Sequence, residues 1–324
     1  MSILGLDIGG ANLKGAHSGG TARSMPFALW KHPERLTTAL AALSAVFPSW
    51  DALAITMTGE LCDCFATRRE GVQAILRSVQ RFAGSTPIHV WTREGRFIDP
   101  EPAHADPLGV AAVNWLALAH CVAREFIHER VILIDTGSTT TDLVYLDRGT
   151  PAPRAFTDVE RLRTGELVYT GIRRTPICAV LGMEVAAEFF ATMLDAYVFL
   201  GHGPENPEDC DTADGRPVTR AGAHARIARL LCADAETFSE LEAMKLAQQA
   251  VSVQRQAVFR AFERVLAGRH DVDRVIVAGS GELLGRWVAE RWGKPVTSLA
   301  DLWGPALSEA ACAYAVARLA REVA

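Results

Sequence analysis

Long hydrophobic runs are missing from this 324-residue sequence. No stretch reaches the roughly 18 uninterrupted apolar residues that a membrane-spanning helix needs, so no membrane partner is expected. A basic segment followed by a long apolar core is missing too, because Met1 leads straight into Ile3-Leu4-Gly5-Leu6-Asp7. The reading is therefore of a cytoplasmic protein without a secretory leader. Positive charge is not in excess: 33 Lys and Arg stand against 38 Asp and Glu, for a net charge of -5. That balance excludes a surface built to neutralise a nucleic-acid backbone. The seven cysteines have no CxxC spacing, which disfavours both a disulfide framework and a four-thiolate zinc site. Cys62-Asp63-Cys64 comes nearest to a cluster, and small buried cysteines are common. Disorder is excluded by 49% hydrophobic and 22% charged residues.

What is present is enough chain for two domains around a cleft. Apolar runs predict strands at 3–8, 13–16 and 25–30, then a helix over 34–46 carrying Leu36, Leu40, Leu43 and Val46. A buried strand follows at 53–57, and Val72, Ile75, Leu76 and Val79 line one helix face. A long apolar helix is expected over 109–126, then strands at 130–135 and 143–146. The polar stretch 201–222 reads as a long loop. Residues 236–267 read as one or two helices carrying Leu241, Met244, Ala247, Val251, Val258, Phe262 and Val265. A strand at 275–278 and an Ala-rich helix over 305–323 complete the α/β pattern. Within it the chain repeats itself. Asp7-Ile-Gly-Gly-Ala-Asn-Leu-Lys14 and Asp135-Thr-Gly-Ser-Thr-Thr-Thr-Asp142 share the frame strand, Asp, x, Gly, small polar turn, strand, at an offset of 135 − 7 = 128 residues. A repeat of that size predicts two related domains, 1–128 and 129–304, with the helix 305–323 packing back on the first.

Each copy is a hairpin in which glycine and small residues let backbone N–H groups approach an oxyanion closely. Gly9, Gly10 and Asn12 form the first turn, and Gly137, Ser138, Thr139 and Thr140 the second. Two such turns facing one another make a phosphate clamp, and a phosphorylated small molecule is the expected partner. Asp7 and Asp135 would repel phosphate unless Mg²⁺ lay between, so they are the expected metal-facing carboxylates. Lys14 on the returning strand can reach a phosphate as a point charge, while Asp142 in the equivalent position can accept a proton or orient water. Gly279-Ser280-Gly281 follows a buried strand and opens a helix, a third backbone-lined contact. Glu60, in Thr58-Gly59-Glu60, is a second acid or base in one reading and a solvated turn carboxylate in the other. Arg173-Arg174 either meets phosphate or bridges local acids. The acidic loop Asp209–Asp214 reads as solvent-facing, with a substrate lid as the alternative.

The two hairpins and the Gly-Ser-Gly turn resemble the superfamily of sugar kinases, acetate kinase, actin and the Hsp70 ATPase domain. This implies two actin-like, ribonuclease H-like domains around a central phosphate-binding cleft. Residues 135–142 are similar to the Asp-x-Gly-x-Thr-x-Thr-Asp signature of the hydantoinase A/oxoprolinase group. Within that group, residues 7–14, Thr58-Gly59-Glu60-Leu61 with Arg68-Arg69-Glu70-Gly71-Val72, Asn114-Trp115, Arg174-Thr175-Pro176 and residues 211–217 resemble the tetrahydromethanopterin-linked one-carbon transfer pathway proteins. The resemblance implies a transferase of methanofuran or methylofuran biosynthesis. It would condense an aminomethylfuran-methyl diphosphate with the phenol of a glutamyl-tyramine-type acceptor and release pyrophosphate, with Mg²⁺ and without consuming ATP. The same clamp suits ATP. An ATP-dependent small-molecule kinase, a hydantoinase or oxoprolinase, and a nucleotide-binding regulatory protein therefore stand as alternatives, and a homo-oligomer stays open.

Overall fold

The computed structural model describes residues 1–323. Its first sheet comprises β1 (Ile3–Ile8), β2 (Asn12–His17), β3 (Thr21–Pro26), β4 (Ala52–Met57), β5 (Ile88–Trp91) and β6 (Phe97–Ile98), in the order β3-β2-β1-β4-β5-β6. The second comprises β7 (Arg130–Thr136), β8 (Thr141–Asp147), β9 (Thr150–Pro151), β10 (Leu167–Val168), β11 (Arg274–Ala278) and β12 (Val296–Ser298). Its order is β10-β8-β7-β11-β12, with β9 against β8. In both sheets an aspartate-bearing strand pairs antiparallel with the strand that follows it and parallel with a later one, which pairs parallel with the next. The repeat in the sequence is thus a repeat of topology.

The sheets stack with helices in five layers. Leu4, Leu6, Ile8, Leu53, Ile55 and Met57 face the helices Leu36–Ser44 and Arg68–Ala83. Ile3, Ala52 and Ala54 point the other way, into a shared core with the helices Asn114–Ala123 and Ala311–Val323. The second sheet sends Val131, Leu133, Val144 and Leu146 into that same core. Ile132, Ile134, Leu143 and Tyr145 pack on the far side, against Val258, Phe262 and Val265 of the helix Glu240–Leu266 and Leu284 and Val288 of the helix Glu282–Trp292. The middle layer is rich in alanine, which lets backbones approach. A Cβ on Gly5 would lie 2.0 Å from the Ala313 carbonyl oxygen, so only glycine fits there. A separate helical unit, built on Ile177, Met193, Tyr197, Ile227 and the first half of helix 240–266, extends from the second sheet.

Several elements differ from the sequence reading. The third strand is Thr21–Pro26 rather than 25–30, because Gly20 (φ +96°) makes a tight turn that pairs Thr21 with His17 at once. Val46 lies beyond the end of its helix and is exposed. The helix expected from 109 begins at Asn114; Ala112 holds φ +52°, and its carbonyl accepts the Trp115 indole N–H at 3.0 Å. Residues 240–266 form one helix, but Leu241 and Met244 are not in the core. At that end the stripe turns to Ala243, Leu246, Ala247 and Ala250 to meet the helical unit. Residues 299–323 form three helices, broken at Gly304 (φ +95°) and Ala310. The last three residues of the expected loop 201–222 already belong to the helix Arg220–Arg229. Among the described residues no helix is long and apolar enough to cross a membrane.

Candidate functional site

Strand pleating alone decides where the aspartates point. Side chains alternate across a strand, so Asp7 shares the face of Ile3 and Gly5, and Asp135 that of Val131 and Leu133. That face is the one turned toward the middle layer. Lys14 pairs in register with Asp7, and Asp142 with Asp135, so both project to the same side as their partners. The two turns close alike: the Gly9 N–H donates to the Asn12 carbonyl at 3.1 Å, and the Gly137 N–H to the Thr140 carbonyl at 2.9 Å. Four charged groups of two hairpins thus converge on one cleft.

Their electrostatics follow from the convergence. Burial pushes the Asp135 carboxyl up to about 7, helped by the charges of Asp142 and Asp7 and opposed by Lys14. Asp7 is raised by burial too, against the pull of Lys14 and the Asn114 amide. Its Oδ1 is buried without a hydrogen-bond partner. Asp142 is raised by burial but countered by Arg161, whose Nη1 donates to its Oδ1 at 2.8 Å. Arg161 is almost wholly buried and stacks on Trp115, with its Cζ 3.7 Å from a ring centroid. The Cys312 thiol lies 3.9 Å from Asp135 Oδ2, and burial raises it well above the ordinary range.

The third glycine turn meets the second hairpin directly. The Gly281 N–H donates to the Thr136 carbonyl at 2.9 Å, and a Cβ on Gly279 (φ +83°) would lie 2.5 Å from Asp135 Oδ1. Glu282 fixes the turn from behind by accepting from Ser298 at 2.6 Å and Ser308 at 3.0 Å. Glu60 is buried, not a solvated turn carboxylate, and burial lifts it to about 7. Arg68 Nε stands 3.6 Å from Glu60 Oε1, leaving Oε2 without a partner. Arg68 also donates to Asp158 at 2.7 Å, which ties the first half of the chain to the second.

Arg173 bridges local acids: its guanidinium pairs with Asp209 and reaches Asp211 at 3.4 Å. The acidic loop is therefore only partly solvent-facing. Asp214 bonds Arg226 at 3.0 Å, and Arg226 is itself fully buried against Asp195. Cys62 packs against the first turn, 2.7 Å from where a Gly10 Cβ would be, with its thiol pushed up to about 11 by burial. Arg161, Asp158 and Cys312 carried no signal in the sequence, and Arg68 stood out only within the stretch 68–72 that carries the family resemblance. Each reaches the cleft from a helix remote from both hairpins, and helical periodicity reports which face is apolar, not which charge points inward.

The family model for hydantoinase/oxoprolinase matches residues 51–323. The chain belongs to the hydantoinase/oxoprolinase family. A full-length relative takes in the first hairpin as well. It is the (4-{4-[2-(gamma-L-glutamylamino)ethyl]phenoxymethyl}furan-2-yl)methanamine synthase of Methanocaldococcus jannaschii, 32% identical over 98% of this chain and 97% of that protein. A protein of the same name from Methanococcus vannielii is 29% identical over 49% of this chain and 76% of its own length. Among solved structures, the archaeal actin homolog Ta0583 covers 99% of this chain and 100% of its own at 13% identity, with a TM-score of 0.51. A nucleotide-free acetone carboxylase chain covers 97% of this chain and 70% of its own at 9% identity, with a TM-score of 0.54. This hydantoinase/oxoprolinase family member has the two-domain actin-like fold.

Proposed function

We propose that the protein is a transferase that joins a furanylmethyl diphosphate to the phenol of a γ-glutamyl-tyramine-type acceptor and releases pyrophosphate, a step in making a methanofuran or methylofuran. The observation that carries this reading is the 32% identity to a named synthase across nearly the whole of both chains. That synthase's product, as named, contains an aryl–O–CH₂–furan ether. Building such an ether from a phenol requires a leaving group on the furan CH₂, and a diphosphate is one that two phosphate-binding turns can hold.

The donor set fits Mg²⁺. Asp7 and Asp135 offer oxygen only, Asp7 Oδ1 has no partner, and Asp135 has little beyond a distant thiol. These two carboxylates would hold the ion, and a bound Mg²⁺ neutralises charge on the departing diphosphate. The backbone at Gly9, Gly10 and Asn12 and at Gly137 to Thr140 orients the diphosphate oxygens, and Lys14 adds a positive charge from the first hairpin. Gly279-Ser280-Gly281 lies against the second hairpin and closes that side. Glu60 is the better base: it has an unpartnered oxygen and a carboxyl near 7, whereas Asp142 is engaged by Arg161. It takes the phenol proton as the oxygen attacks.

The test is to incubate the purified protein with synthetic aminomethyl-furanylmethyl diphosphate, γ-glutamyl-tyramine and Mg²⁺, following ether formation and pyrophosphate release without ATP. Stoichiometric release of both products is expected. No turnover, together with tight Mg²⁺–ATP binding and no pyrophosphate affinity by calorimetry, would overturn the reading in favour of an ATP-dependent kinase or nucleotide switch.

A further inference from the structure

The geometry points to Trp30 and Arg174 as a paired gate and substrate seat over the phosphate cleft, with the Trp30 face receiving the furan ring and Arg174 receiving the diphosphate. This rests on the transferase reading above and names the residues that would meet its substrate. Each partner is attached to a different phosphate turn. The residue before Trp30, Leu29, donates its N–H to the Gly10 carbonyl at 2.9 Å, and its side chain packs where a Gly59 Cβ would sit. The Arg174 N–H donates to the Ser138 carbonyl at 2.9 Å, beside that of Arg173 at 3.1 Å. From these two anchors the side chains meet, with the Arg174 Cζ 4.7 Å from a Trp30 ring centroid. The Cys62 thiol, packed on the first turn, feels the Arg174 charge as well. Trp30 is half-buried and Arg174 exposed, so the indole is seated in the fold and the guanidinium is open to solvent.

A cation on an indole face is held by the ring's quadrupole, and any cation of similar shape can take its place. Arg174 has no carboxylate partner among the described residues, unlike Arg173, which is committed to Asp209 and Asp211. A diphosphate between the two turns offers Arg174 a bidentate anion, which a guanidinium prefers to an aromatic face. The vacated indole face then lies over the furan-methyl carbon. As the C–O bond to diphosphate breaks, its electron pair leaves with pyrophosphate and the carbon gains positive character. The phenol oxygen supplies the pair for the new C–O bond, and its proton passes to Glu60. Trp30 thus stabilises in the reaction the kind of charge that Arg174 places on its face in the free protein.

Two measurements test this. In the turnover assay, Trp30→Leu should lower kcat at least about tenfold with a smaller change in KM, while Trp30→Phe keeps a π face and stays within about threefold of wild type. Arg174→Gln should raise KM for the diphosphate about tenfold with kcat little changed. Thermal unfolding of each variant confirms the fold. Wild-type kcat in Trp30→Leu, or wild-type KM in Arg174→Gln, overturns the inference. The second measurement needs no turnover: Mg²⁺ with inorganic pyrophosphate should change tryptophan emission as Arg174 leaves the indole, and Trp30→Phe and Arg174→Gln should each abolish the change. No change in wild type, or the same change in Trp30→Phe, overturns the pairing. A wild-type protein that shows the emission change but makes no ether refutes the transferase reading alone.

Discussion

The two hairpins have one backbone and two chemistries. Both place an aspartate at the end of a central strand, close with the same N–H to carbonyl bond, and pair that aspartate with the residue seven places on. In the first hairpin the pair is Asp7 with Lys14, which is neutral in sum. In the second it is Asp135 with Asp142, and the second half of the chain must import a cation. It does so with Arg161, stacked on Trp115 in the middle layer. The bracing differs as well. The first turn is held by the residues 27–29 and 58–59, the second by 171–174, where a Gly171 Cβ would sit 2.5 Å from the Gly137 carbonyl oxygen. A repeat can therefore conserve geometry while its charges diverge, one copy setting a lysine beside its aspartate and the other a second carboxylate held by Arg161.

The sharpest way to break the asymmetry is Arg161→Met, which leaves Asp142 buried without its cation. A loss of about 3–5 kcal/mol of stability is expected by denaturant unfolding, because an uncompensated buried charge costs more than the pair contributed. Adding Asp142→Asn should recover much of it, and no recovery would show that the guanidinium acts through packing on Trp115 instead. Next, Asp7→Asn and Asp135→Asn should each weaken Mg²⁺-dependent pyrophosphate binding about a hundredfold by calorimetry with the fold intact. Equal affinity in both variants and wild type would remove the metal site from either hairpin.

Smaller effects come from the elements beside the hairpins. Glu60 has its carboxyl raised to about 7 in the folded protein, so between pH 4.5 and 7 the folded state holds a proton that the unfolded state has lost. Stability should therefore fall as pH rises through that window, at up to about 1.4 kcal/mol per unit from this group. Comparing wild type with Glu60→Gln by urea unfolding at several pH values should isolate that slope, and parallel curves would contradict it. The smallest change is expected from Arg68→Gln. The pair with Asp158, 25% and 28% exposed, contributes less than about 1 kcal/mol, so unfolding should barely shift, and a larger loss would mark Arg68 as the essential counterion of Glu60.

Much of this was legible in the residues, for stated reasons. The hairpins announce themselves because glycine and small polar residues at fixed offsets from an aspartate leave few conformations, and the 128-residue offset showed the repeat before any strand order was known. Strand parity could also have been read: Ile3, Gly5 and Asp7 differ by two, as do Val131, Leu133 and Asp135. Helix ends were less legible. The break at Ala112 depends on a bond from the Trp115 indole, and that at Ala310 on nothing local to the pattern. Tertiary charge partners were invisible. Arg161 is one of two arginines in Asp158–Thr164, and only the fold reveals that it is buried and aimed at Asp142.

Gly5 lies against Ala313, which is 313 − 5 = 308 positions further along the chain. The inner surface of the first sheet therefore has to wait for residues made almost a whole chain later. A sheet that emerges early and is finished late is exposed throughout synthesis, and its closing contacts carry a high loop entropy. The helix Ala311–Val323 seals that surface by packing between the two sheets. Assembly of the cleft and completion of the first sheet become one event, so a molecule with its early strands unsealed would also be one that cannot hold a ligand.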